Sequence, residues 1–300
     1  MMEFVNSIMP FFIILLMAGV GLSVSFQQLG QSLGKWKIML ATVFSMQVIL
    51  PLICIGLASM LTLQPDIAVG FVLLASCPGG LFSNYLVLLA RADTALSISL
   101  TVFITLIYAI TAPLWAGAAL HLFMPEGTAI RGYDPWSVLI SLVGFVLVPT
   151  VVGVALKTKR PILADRIGAV IRNPAAIGLL LMYFLILYDL RDTLIIGAKA
   201  AIIPVFLFNL FGAALGAGIS VFLGWKSQQG IPVIVEHVVR QEGTGIFIAS
   251  ALIGSVAMTY PMLLNSLTGM IIGLSLAVFF RRKARLSAKK SIIDPRNRND

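Results

Sequence analysis

Uncharged apolar runs of about 20 residues recur along the whole chain, each long enough to cross roughly 30 Å of hydrocarbon. Backbone in hydrocarbon must satisfy its own polar groups, which leaves helices and closed barrels as the spanning structures. A barrel would show alternating segments of about ten residues, whereas these runs are continuous and too long. Charged residues are 11% of the 300 and apolar ones 59%, against roughly 25% charged in soluble globular domains. The chain therefore reads as an all-α, polytopic membrane protein.

Nine spans are predicted, at about 7–26, 38–60, 67–90, 94–123, 136–156, 173–189, 200–224, 231–254 and 261–280. Short polar punctuations such as Gln64-Pro65-Asp66 and Arg91-Ala92-Asp93 separate them, and no linker is long enough to part soluble domains. Residues 1–280 thus read as one transmembrane unit and 281–300 as a basic tail. Lys and Arg concentrate in cytoplasmic loops. With the N-terminus outside, the inner segments collect Lys35, Lys37, Arg91, Lys157, Lys159, Arg160, Arg166, Arg172 and Lys226, and the tail holds Arg281, Arg282, Lys283, Arg285, Lys289, Lys290, Arg296 and Arg298. The outer segments keep only Arg131, Arg191 and Lys199. This bias predicts an odd number of spans with the C-terminus in the cytoplasm. It also accounts for the net charge of +9 without nucleic acid, because a basic tail anchors topology against anionic membrane lipid. The compact chain is read as a bacterial inner-membrane protein.

The first run is not expected to be a cleaved secretory signal, since Glu3 precedes it without any positive residue and no small-x-small pattern follows. Cys54 and Cys77 lie inside spans without CxxC or Cys/His spacing, which predicts intramembrane packing rather than a disulfide or zinc site. The chain has two histidines, His121 and His237, and no HExxH or GxSxG motif, so an intramembrane enzyme is not expected.

Two spans break the pattern of a simple membrane helix. In the third, Cys77-Pro78-Gly79-Gly80-Leu81-Phe82-Ser83-Asn84 puts a proline, two glycines and two polar side chains at mid-membrane depth. That combination predicts locally unwound backbone, tolerated only where protein or a watery cavity covers it. In the eighth, Glu236, Arg240 and Glu242 fall near the middle of an apolar stretch. At about 2.5–3.5 kcal/mol each on insertion scales, such charges must face one another, a cavity or an ion. The alternative is a loop over 226–242 with the span starting at Gly243, which would leave the apolar run 231–239 without a consistent place. The two spans stand third from the N-terminus and second from the C-terminus. If an ancestral helix is missing from the front of the first half, they become equivalent members of two inverted five-helix repeats, in which paired broken helices meet at the midplane.

The stretch from Cys77-Pro78-Gly79-Gly80 through Ser83-Asn84 to Ala95-Leu96-Ser97 resembles the CPGG-x-x-SN motif and the helix-opening ALS of the bile acid:sodium symporters, and the resemblance runs over nearly the whole chain. It implies a sodium site made by Ser83, Asn84, Ser97, Thr101 and Glu236, all bearing oxygens that suit a hard cation. The family's second sodium site does not carry over. Its glutamine four residues after the glutamate is Arg240 here, followed by Gln241, and a further glutamine falls on Met46, with Gln47 beside it. Arg240 is therefore expected to stand in for the second sodium, at the i+4 position from which it could reach Glu236 along one helix face. Binding of the substrate's carboxylate by the same guanidinium stays open. His237 is expected to be a packing or hydrogen-bonding neighbour, with a proton relay as its alternative.

With Glu236 and Glu242 negative and Arg240 positive, one negative charge is left for a single Na+ or proton. The resemblance implies sodium-coupled symport of a small organic anion by a functional monomer. It also implies nine spans without the first helix of ten-span bacterial members, spans 1, 5 and 6 forming a panel and spans 2–4 and 7–9 a core that moves against it. Substrate would lie beside the crossing, near the backbone of Asn84 and Gly243. A proton-coupled or sodium-independent carrier or exporter of a small organic anion is the alternative.

Overall fold

A computed structural model describes residues 1–125, 133–225 and 227–293, with side chains up to Lys283 apart from that of Ser227. Arg131, Lys226, Arg296 and Arg298 of the topology argument lie outside the described residues. In chain order the helices are α1 (Met2–Gly21), α2 (Phe26–Leu33), α3 (Trp36–Met60), α4 (Pro65–Ser76), α5 (Leu81–Leu89) and α6 (Thr94–Phe123). They continue with α7 (Pro135–Lys159), α8 (Pro161–Asp189), α9 (Leu194–Phe222), α10 (Ser227–Val238), α11 (Glu242–Ile253) and α12 (Tyr260–Ile293).

The protein is a polytopic all-α membrane protein, in which seven helices among the described residues are long and apolar enough to cross a bilayer. Large apolar side chains such as Leu180, Phe184, Ile195, Phe206 and Phe222 cover its outside, as contact with lipid allows. The third and eighth expected spans are each divided into two half-helices, α4 with α5 and α10 with α11. The first break is confined to Cys77–Gly80, so Ser83 and Asn84 sit on helix α5 rather than in unwound chain. Pro78 causes it: the residue before a proline is excluded from the α region, and Cys77 adopts φ −54°, ψ 143°.

Other boundaries also move. The first helix ends at Gly21, not near residue 26, because Ser25 caps a separate helix: Gln28 N–H donates to Ser25 Oγ (3.3 Å) and Ser25 N–H to Gln28 Oε1 (2.9 Å). The sixth expected span, helix α8, begins at Pro161 instead of about 173, since Pro at the first helical position lets polar turns precede the apolar run. The expected tail is helical over its first part, with α12 running on to Ile293.

Helix α4 occupies the centre, and every residue from 67 to 80 is buried. Helix α1 packs along α7 and α8. Its approach to α7 is set by paired glycines: a Cβ on Gly21 would collide with the Thr150 carbonyl, and one on Gly153 would lie 2.7 Å from Ala18 O. Gly21→Ala is therefore expected to cost about 1–3 kcal/mol by overpacking, read from the thermal unfolding midpoint in detergent. Gly30→Ala, made into open space, is the control that leaves the midpoint unchanged.

Candidate functional site

The two breaks meet back to back. Gly79 and Arg240 form an antiparallel backbone bridge, and Gln241 N–H donates to Pro78 O at 2.8 Å. Backbone that has left its own helix is thereby satisfied across the crossing, as a membrane interior requires. A Cβ on Gly79 would collide with Glu236 Oε2, so only glycine lets the strands approach beside this carboxylate.

Around that point the fold gathers five side chains from three elements: Ser83 and Asn84 of α5, Ser97 and Thr101 of α6, and Glu236 of α10. Glu236 Oε1 accepts from Ser83 Oγ (2.6 Å), Thr101 Oγ1 (3.0 Å) and Ser97 Oγ (3.2 Å). Asn84 Oδ1 lies 2.6 Å from Ser97 Oγ and 3.4 Å from Thr101 Oγ1, so each of these hydroxyls has a single proton to share between Asn84 and Glu236. Glu236 is fully buried, and its Oε2 has no hydrogen-bond partner. Every donor atom in the cluster is oxygen, one carboxylate supplies charge, and an orphaned buried oxygen still needs a partner. Such a set fits a hard cation, toward which the three hydroxyls would turn their lone pairs.

Arg240 is not where helical spacing puts it. Helix α10 ends at Val238, so Glu236 and Arg240 do not share a helix face, and no ion pair within 4.0 Å links Arg240 to a carboxylate among the described residues. Its guanidinium crosses to the other break instead: Nη1 donates to Cys77 O (2.8 Å), and the group lies 5.4 Å from the Phe208 ring centre. Its Nε and Nη2 are buried and without partners.

His237 is buried. Val233 O can only accept, so Nδ1 (2.7 Å) carries a proton, and Nε2 bonds to Ser45 Oγ (2.8 Å), which also reaches Thr42 O (2.9 Å). Met46 is fully buried in an apolar cluster with Leu100 and Val233. Gln47 is tied elsewhere: Nε2 donates to Ser76 O (3.0 Å), and Oε1 accepts from Thr111 Oγ1 (2.6 Å). Both lie in or beside a widened turn at Ser45–Ile49.

Three polar residues escaped the sequence reading. Asn265 Nδ2 donates to Glu242 Oε1 (2.8 Å), and Asn209 Nδ2 donates to Asn265 Oδ1 (2.8 Å), with Thr268 Oγ1 at 3.5 Å. The available signal was an asparagine inside each of the apolar runs 200–224 and 261–280, where a lone amide is costly without a partner. A cavity of about 400 Å³ opens beside the crossing, between α1, α8, α12 and the two breaks, with Gly80, Arg240, Gln241, Glu242 and Gly243 on one wall.

A family model described as the sodium bile acid symporter family matches residues 10–196. The chain is 27% identical over 283 residues to the "Uncharacterized sodium-dependent transporter YocS" of Bacillus subtilis (strain 168), covering 94% of this chain and 85% of that one. It is 24% identical over 269 residues to the "Probable sodium/metabolite cotransporter BASS1, chloroplastic" of Arabidopsis thaliana, covering 89% of this chain and 65% of the relative.

Proposed function

The chain belongs to the sodium bile acid symporter family, and we propose that it carries a small organic anion across the membrane with Na+ by alternating access. The protein is an integral membrane transporter of this family, not an enzyme. The observation that carries the sodium reading is the convergence of Ser83, Asn84, Ser97 and Thr101 on the buried Glu236, whose second oxygen stays unpartnered. No single helix could assemble that set. Binding there ties α5, α6 and α10 together across the crossing, which is how an ion would bias the conformation that accepts substrate.

One sodium is the stoichiometry this reading favours. Met46 fills one position of the family's second site with a thioether, and Arg240 supplies a fixed positive charge at the crossing through its bond to Cys77 O. That position serves charge compensation without an ion pair, and it leaves two buried guanidinium donors without partners in a residue that lines the adjoining cavity. Helices α1, α7 and α8 pack on one another and would act as the panel, with α3–α6 and α9–α12 as the core. The reading further takes the protein as a monomer of a bacterial inner membrane, N-terminus outside and C-terminus in the cytoplasm.

The test is a sodium titration of thermal stability in detergent at constant ionic strength, with potassium as control, since an ion that binds only the folded state raises the unfolding midpoint. A saturable, hyperbolic response with a Hill coefficient of about one is expected. Arg240→Gln removes the fixed charge and should steepen the sodium dependence or raise the sodium needed. No sodium response together with a strong pH dependence would replace Na+ by a proton as the coupling ion.

A further inference from the structure

We propose that the solute in the cleft is an apolar amino acid, its carboxylate on Arg240 and its protonated amine on Glu242. The inference rests on the sodium-coupled transport reading above and replaces its organic anion by a zwitterion. Arg240 and Gln241 of the second break and Glu242 at the start of α11 line the cavity. Arg240, 4% exposed, has Nε and Nη2 buried as donors without partners, and Gln241, 7% exposed, has Oε1 buried as an acceptor without one. Beside them Glu242 brings a carboxylate that forms no ion pair within 4.0 Å among the described residues.

A carboxylate is an odd component in a cleft for a plain anion, because it repels the solute that Arg240 attracts. The fold nevertheless takes care to hold it. Val205 O, which can only accept, lies 2.9 Å from Asn209 Nδ2 and so fixes which end of that amide faces Asn265. Asn265 must then turn its oxygen to Asn209 and its NH2 to Glu242 Oε1. Asn209 and Asn265, buried in helices α9 and α12, are thus positioning residues for the carboxylate of Glu242, a residue that lines the cavity.

A solute carrying both a carboxylate and an ammonium group answers the charges of Arg240 and Glu242 at once, whereas a keto acid leaves the Glu242 charge uncompensated and an amine leaves Arg240 Nε and Nη2 without an acceptor. The rest of the wall is apolar, with Leu16, Leu179, Leu180, Ile186 and Met270, and the volume of about 400 Å³ is ample for an apolar side chain.

The experiment uses the purified full chain in saturating sodium and compares stabilisation by alanine, valine, leucine and phenylalanine with that by the α-keto acid of each. At least one amino acid is expected to stabilise the protein saturably at a concentration roughly tenfold or more below its keto acid, and Glu242→Gln should shrink that ratio toward one. Keto acids that bind as well as the amino acids, or a sodium response with no amino-acid response, would overturn the amino-acid assignment and leave the transporter reading standing. Absence of the sodium response itself would sink the sodium reading instead. If Glu242→Gln is not recovered folded, the comparison on the unmodified protein still decides.

Discussion

Glu236→Gln is expected to abolish the stabilisation of this protein by sodium and to cut sodium-driven uptake by roughly a hundredfold or more. The substitution keeps the size of the side chain and an acceptor for Ser83, Ser97 and Thr101, so the folded state should survive. It removes the one negative charge in the cluster and converts the unpartnered buried oxygen into an amide end. At sodium tenfold above Kd, binding to the folded state is worth about 1.4 kcal/mol, which the wild type should show and the variant should lack. The measurement is the unfolding midpoint against sodium, with potassium at equal ionic strength. Equal stabilisation of variant and wild type would place the ion elsewhere.

Gly79→Ala should be nearly as damaging, for a reason that has nothing to do with backbone flexibility. The added methyl group has no space, because Glu236 Oε2 occupies it. Either the carboxylate leaves its three hydroxyl donors or the Gly79–Arg240 bridge opens, and each outcome dismantles the crossing. A loss of about 1–3 kcal/mol in stability is expected from overpacking, together with the sodium response. Glu236→Asp, one methylene shorter, draws the carboxylate back. The double variant should therefore be more stable than the sum of the two single effects by about 0.5 kcal/mol or more. Strict additivity would show that the two residues do not press on each other.

The membrane class was legible because hydrocarbon imposes a length and an apolar composition on any segment that crosses it, and both are one-dimensional properties. The bounds of α6 at Thr94–Phe123 coincide with the run read from the sequence. The first break was legible because Pro78 acts on its neighbour's backbone alone. Local capping was less visible: Ser25 and Gln28 carry the signature that stops the first helix, but it is overshadowed by the hydropathy around it.

The second break was not legible in the same way. No proline stands at Val239–Gln241, and a helical reading put Arg240 one turn from Glu236. Only the arrival of Pro78 and Gly79 from more than a hundred residues away offers Gln241 N–H and the Arg240 backbone partners outside the helix. The guanidinium then finds Cys77 O and Phe208, neither of them a local neighbour. The pairing of Glu242 with Asn265, and of Asn265 with Asn209, depends in the same way on how three separate elements pack.

The sequence by itself determined that this chain spans a membrane as helices, where its first break must fall, and which residues carry charge and oxygen at mid-depth. Tertiary structure alone decided which of those groups meet. Hydropathy and proline geometry act along the chain, whereas the contacts of Glu236, Arg240 and Glu242 are set by a crossing that brings distant backbone together.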